Sequence, residues 1–130
     1  MSEKLSIDPE QLVYASVVEF TEQYLAAVYD RPTHPQRRAW CAQWWAHGEL
    51  FARFTALWTA WESLRLHGGP EGMAKWFVSY ADPIMAVVFD PNGPLALCTA
   101  EEHRESKHAP DYRLPTLPVS PELNSDTPRI

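Results

Sequence analysis

The sequence predicts a mainly α-helical domain of four to five helices around a tryptophan-rich core. Three observations carry that expectation. All six tryptophans fall between Trp40 and Trp76. Apolar residues there, and in the stretch before, recur in steps of three and four, the period of a helix face rather than of a strand. Asp-Pro pairs and a capping box stand where such faces begin, and glycine or proline clusters stand where they stop.

The first element starts at Asp8-Pro9-Glu10-Gln11. Asp8 reads as N-cap, Pro9 takes the first helical position where its missing N–H costs nothing, and Gln11 reaches back. Val13, Val17, Phe20, Tyr24 and Val28 then form one apolar face to about Tyr29. Arg31-Pro32 ends it, because a residue before proline is pushed out of helical conformation. "RPTHPQRRA" follows as a polar loop and is the one basic patch. Trp40, Trp44, His47, Phe51, Phe54, Trp58 and Trp61 make the next helical stripe. Glu49/Arg53 and Glu62/Arg65 stand as supporting ion pairs, each worth only ~0.3 kcal/mol. Gly48 interrupts this stripe, so Trp40 to His47 is expected as a separate short turn. A longer helix then runs from about Glu49 to Leu66, closed by "HGGPEG", whose glycines suit a left-handed cap.

A third helix, about Glu71 to Tyr80, is expected to turn Met73, Trp76, Phe77 and Tyr80 inward. Asp82-Pro83 repeats the start signature and opens a short apolar element, Ile84 to Phe89. Beyond the "DPNGP" turn, Leu95 to Cys98 is expected to be extended, with an Ile84–Phe89/Leu95–Cys98 hairpin as the alternative. Thr99-Ala100-Glu101-Glu102 is a capping box for a last helix, about Ala100 to Ser106.

The chain thus divides into a flexible leader (1–7), a helical domain (8–106) and a disordered proline-rich tail (107–130) that ends "LPTLPVSPELNSDTPRI". The three-residue spacing of Pro115, Pro118 and Pro121 would suit a docking segment, but such tails are more often plain extensions, which is the expectation here. A net charge of −6 argues against a general binder of nucleic-acid phosphates, whose affinity rests on Lys and Arg, and against docking on an anionic membrane. "MSEKLSIDPEQ" lacks the apolar stretch of a secretory signal. The run Ile84–Phe89 is far short of the ~20 residues that cross a bilayer. A cytoplasmic protein without membrane insertion is therefore expected. In such a reducing compartment its two cysteines are free thiols or metal ligands rather than a disulfide, and they are too few for a four-Cys iron–sulfur cluster.

Those cysteines each have a histidine nearby: Cys41-x5-His47 and Cys98-x4-His103. Two thiolates and two imidazoles are a set that tetrahedral Zn²⁺ accepts. If Thr99 is an N-cap, Cys98 and His103 take the two positions that touch in a hydrophobic staple. Cys41 and His47, six apart, lie roughly 240° around a continuous helix and could share an ion only if the helix breaks between them. Gly48 is compatible with that break. Burial as ordinary core residues stays open as the alternative, since cysteine packs as a small hydrophobe and neither spacing is a C-x2-C knuckle.

"WCAQWWAHGELFARFTALWTAWESLR", "GMAKWF", "ADPIM", "NGPLALC" and His103 resemble an uncharacterised family of small proteins from actinobacteria, their phages and mobile elements, known only as a domain of unknown function. Its pattern falls on Trp40, Cys41, Trp44, Trp45, His47 and Glu49, on Leu57, Trp58, Ala60, Trp61 and Glu62, and on Asp82, Pro83, Gly93, Pro94, Cys98 and His103. The resemblance spans about Val13 to His103. It implies that both Cys/His pairs matter and names no metal. The chain departs from the pattern at Gly48, where proline is frequent, and at Leu95, where an aromatic is usual.

The function expected is a small non-enzymatic binding or adaptor protein of a mobile element or phage. Its metal ligands would be Cys41, His47, Cys98 and His103 around a structural Zn²⁺, its partner another protein, and its oligomeric state is left open. Two alternatives stand beside it. A metal-dependent hydrolase would use the same cluster with Glu49 or Glu102 as base. A DNA-associated regulator would use Arg31, Arg37 and Arg38.

Overall fold

The computed structural model of the chain describes residues 7–100, 102–103 and 114–123. Three helices dominate these residues. We label them α1 (residues 17–28), α2 (Gly48–His67) and α3 (residues 72–89). Short 3₁₀ turns at Pro9–Gln11, Trp44–Ala46 and Gly69–Glu71 precede them in turn. No strand occurs among the described residues.

The first helix starts later than Asp8 implies. Asp8 caps only the 3₁₀ turn, its side chain accepting from Glu10 N at 3.0 Å. α1 begins at Val17 behind a different box. Ser16 Oγ accepts from Glu19 N at 3.1 Å, and Glu19 Oε1 accepts from Ala15 N at 2.6 Å. A Ser-x-x-Glu box outcompetes Asp-Pro here because its partners satisfy N–H groups on both sides of the boundary. Val17 and Phe20 are buried as expected and Tyr24 is half-buried, but Val13 lies before the helix and is 51% exposed. Residues 12–16 instead cross α2 in non-helical conformation, and their N–H groups need acceptors from elsewhere.

Glu62 supplies them. It is fully buried, and its carboxylate accepts from Val13 N (3.1 Å), Tyr14 N (2.9 Å), Trp58 Nε1 (3.3 Å) and Arg65 Nη2 (3.1 Å). The Glu62/Arg65 pair is therefore no surface support. It is part of the joint between the N-terminal segment and α2, and Arg65 Nη2 also donates to Gln11 O at 2.5 Å.

The break expected after His47 is present. His47 is extended (φ −100°, ψ 115°), and α2 runs from Gly48 without interruption to His67. This shifts the buried face of α2 by one residue. Leu50, Phe54, Leu57 and Trp61 are buried, whereas Phe51 is 42% exposed and Trp58 half-covered. The aromatic stripe drawn from Trp40 onward crosses two elements and so cannot keep one phase. Gly48 sits at the first helical position, nothing lies within 4 Å of where its Cβ would be, and His47 already has the extended backbone proline demands of its predecessor. Gly48→Pro is accordingly expected to raise stability by about 0.4–1 kcal/mol, read as a higher urea midpoint at unchanged slope. At the other end, Gly69 adopts φ +69°, the left-handed cap that the glycine cluster predicts.

α3 joins two elements that the sequence separates. Pro83 does not start a new helix. It continues one across a π turn, Trp76–Ala81, in which Asp82 N donates five residues back to Phe77 O. A proline ring inside a regular helix meets the carbonyl four residues earlier, and a wider turn just before it relieves that clash. Trp76 is fully buried and its Nε1 donates to Leu57 O of α2 at 2.9 Å, but Tyr80 points outward at 40% exposure. Ile84 to Phe89 is thus helical. Residues 91–97 form successive turns closed by Gly93 N→Asp90 O, Ala96 N→Gly93 O and Cys98 N→Leu95 O, which leaves neither an extended segment nor a hairpin.

The core is aromatic, as expected. Tyr24, Phe20 and Tyr14 of the N-terminal segment and α1 meet Trp61 with centroids 4.9, 5.8 and 5.5 Å away, and Trp76 closes on Phe20 at 6.2 Å. Trp44 packs on Phe54 at 5.5 Å. Ile7, assigned to the leader, is buried as well. Of the tail, the described residues 114–123 are all exposed, with a turn at 121–123.

Candidate metal centre

Three parts of the chain converge at the N-terminal end of α2. Cys41 lies just before the Trp44–Ala46 turn, and His47 is the cap residue of α2. Cys98 ends the run of turns after α3, and His103 follows it. One ligand atom from each of these four residues lies within 4.8 Å of the other three. Cys41 Sγ is 3.2 Å from His103 Nδ1, Cys98 Sγ is 3.5 Å from His47 Nε2, and Cys98 Sγ is 3.8 Å from His103 Nδ1. The two imidazoles stand edge to face with centroids 4.8 Å apart.

Each ligand is delivered by a local feature. The 3₁₀ turn and the extended His47 between them turn the chain so that residues six apart point to one spot, which a continuous helix forbids. Ala39 N donates to Phe89 O at 2.8 Å and so ties the Cys41 segment to the end of α3. Cys98 and His103 do meet, but not through a helix: Glu102 and His103 are not helical, and residues 101 and 104–106 lie outside the described residues. Thr99 Oγ1 accepts from Glu102 N at 2.9 Å while Thr99 N donates to Glu102 O at 2.9 Å, a closed loop that carries His103 back over Cys98.

Both sulfurs are buried and both histidines half-buried. The cysteines form no disulfide. Burial pushes the Cys41 thiol up from its ordinary 9.0 to about 11, with the Cys98 sulfur beside it adding to the rise and the Gln43 backbone N–H opposing it. Without a cation the Cys41 thiol is therefore held neutral at neutral pH, and a bound cation would displace its proton. The Gln43 donor belongs to the same design: a backbone N–H on a sulfur favours its thiolate form.

Glu49 pairs with Arg53 at 2.9 Å on the surface. Arg38 donates to Pro32 O at 2.8 Å, and Arg31 lies over the Tyr29 ring at 5.2 Å. Glu62, expected only as half of a supporting ion pair, is the buried polar hub. Its signal was its place beside Trp61, one residue from the centre of the buried face.

Fold and site together define a small helical domain with a buried two-cysteine, two-histidine cluster that could hold a metal ion. The chain belongs to a family catalogued as Domain of unknown function (DUF4913), whose sequence model matches residues 14–119 and so contains all four cluster residues. That match runs past Lys107 to Val119, which takes the first part of the proline-rich stretch into the family's domain. No curated protein and no solved structure matches the chain.

Proposed function

We propose that this chain is a small non-enzymatic binding module stapled by a structural Zn²⁺ on Cys41, His47, Cys98 and His103. The observation that carries the reading is the mutual closeness of four donor atoms from residues far apart in sequence. Tetrahedral zinc with ordinary Zn–S and Zn–N bonds spaces sulfur from nitrogen by about 3.6 Å. The three S···N distances here, 3.2, 3.5 and 3.8 Å, bracket that value. Zinc with two thiolates and two neutral imidazoles carries no net charge, so it suits a buried site better than a four-thiolate centre would.

Four protein donors fill a tetrahedron, which leaves no position for a reactive water and favours a structural role over hydrolysis. The proposed partner is a protein. Trp45 is 53% exposed directly after buried Trp44, and exposed Phe51 stacks on that same indole at 6.2 Å. Exposed Trp45 and Phe51 are the proposed anchors of that interface, where tryptophan is enriched. No helix of the described residues is long and apolar enough to cross a membrane. A cytoplasmic setting, with a mobile element or phage of actinobacteria as the source, completes the proposal on the strength of the sequence resemblance.

Elemental analysis of protein purified without added zinc or chelator is the direct test. About one zinc per chain is expected. Metal-free protein that takes up no zinc on titration would end the reading.

A further inference from the structure

A second site lies in the groove where α1, the basic loop and the end of α3 meet. It is a half-open cavity of about 170 Å³ walled by Tyr29, Trp40, Met85 and Phe89. Asp30 and Arg31, both exposed, line the same cavity on its solvent side. From these we infer a binding site for a free aromatic α-amino acid, with the ring in the cavity, the ammonium on Asp30 and the carboxylate on Arg31.

Size selects the ligand first. A closed apolar cavity of roughly 150 Å³ accepts one benzene ring, whereas sites for drug-sized molecules run to roughly 300 Å³ and more. This cavity therefore suits one ring and excludes nucleotides and larger cofactors. The walls are aromatic and fixed in place. Tyr29 donates its hydroxyl to Asp82 Oδ1 at 2.6 Å and packs between Phe77 and Phe89, each 6.4 Å away. Trp40 stacks on Phe54 at 6.3 Å and tilts against Phe89 at 6.4 Å. The Ala39 N–Phe89 O bond of 2.8 Å ties the Trp40 segment to the end of α3. A site built this way needs little reorganisation on binding.

Charge selects the head group. The guanidinium carbon of Arg31 sits 5.2 Å over the Tyr29 centroid, and among the described residues its N–H groups make neither a hydrogen bond nor an ion pair. An arginine braced on an aromatic face presents its N–H edge, the geometry that takes a carboxylate in two parallel bonds. Asp30, the adjacent residue, is likewise unpaired among the described residues and offers an acceptor for an ammonium. A simple aromatic acid would leave Asp30 opposing it, and a simple amine would leave Arg31 opposing it. A residue within a peptide carries neither charge, and a terminal residue carries one. Only the free amino acid uses both.

The test is titration of the ¹⁵N-labelled full-length chain with L-phenylalanine, followed by amide shifts. Saturable shifts at Ala26, Tyr29, Trp40 and Phe89 are expected, with Kd of about 1 mM or tighter for a ligand of this size. 3-Phenylpropionate and phenethylamine, each lacking one charge, should bind at least about tenfold more weakly. Asp30→Asn and Arg31→Gln should each lose about the same factor for L-phenylalanine at unchanged melting temperature. Ala26→Leu, which narrows the cavity from an exposed wall position, should reduce binding without touching either charge. Absence of saturable shifts overturns the site, as do shifts centred elsewhere. Equal binding of 3-phenylpropionate, or of the Asp30→Asn variant, overturns the zwitterion.

Discussion

If the proposed zinc is bound, removing it with a strong chelator is expected to lower the melting temperature by about 10 °C. A ligand present at a hundred times its Kd stabilises by ~2.7 kcal/mol, and each kcal/mol moves a domain of this size by about 4 °C. The loss should be partial. Classical zinc fingers unfold outright without metal, but here Phe20 packs on Trp61 and Trp76 in contacts that involve none of the four ligands, within a core to which Cys41 and Cys98 also belong. What the ion would add is a link between the Cys41–His47 turn and the Cys98–His103 loop, so hydrogen exchange should rise at residues 40–47 and 98–103 first. Cys41→Ala and Cys98→Ala should each mimic the chelator and be insensitive to it, and the double variant should cost little more than either single, because one lost ligand already empties the centre. If the cysteines are core alone, the wild type ignores the chelator.

The same expectation fixes a sign with pH. In the metal-free chain the Cys41 thiol is raised from 9.0 to about 11, so its burial contributes stability that is complete below the ordinary value and is lost as pH climbs through about 11. A zinc-bound thiolate has no proton left to lose, and alkaline pH takes nothing from it. Acid does the reverse: protons compete with the ion for sulfur and imidazole, so metal-dependent stability falls as pH drops. Opposite slopes in the two forms, measured by thermal melts with and without chelator, separate a metal centre from a packed cluster.

The cluster was legible in residue types and not in spacing. Two Cys and two His are a ligand set, but their convergence depends on a 3₁₀ turn at Trp44–Ala46 and on a Thr99–Glu102 loop, neither of which has a periodic signature. The break after His47 was readable because glycine interrupts a strong stripe. The Asp82-Pro83 error has a matching cause. Asp-Pro at a helix start and Asp-Pro after a π turn look alike locally, and the longer helix is held by core packing on both sides of the proline, Trp76 and Ala81 before it and Met85 and Val88 after it. At the N-terminus two start signals compete within nine residues, and Ser16-x-x-Glu19 prevails over Asp8-Pro9. That difference leaves the Val13 and Tyr14 N–H groups without helical partners, which is why the buried role of Glu62 could not be inferred without the correct start of α1.

Glu62→Ala is therefore expected to be among the most damaging single changes outside the cluster, costing about 3–5 kcal/mol. Removing one partner of a buried polar network leaves the others desolvated and unpaired. Here the orphans would be two backbone N–H groups and part of the nearby Arg65, which keeps its bond to Gln11 O and its place over the Trp61 ring, while Trp58 Nε1 retains Tyr14 O at 3.2 Å. Glu62→Gln keeps the volume and one acceptor oxygen, so about 1–3 kcal/mol is expected from the same network. Arg53→Ala provides the contrast: its partner Glu49 is exposed, the pair is an ordinary surface bridge, and about 0.5 kcal/mol or less should be lost. Urea unfolding of the three variants measures the order directly. Equal, small losses for Glu62→Ala and Arg53→Ala would mean that residues 12–16 do not dock on α2 in solution. The N-terminal segment would then be peripheral, and the Tyr14 contact with Trp61 at 5.5 Å would contribute nothing to the core.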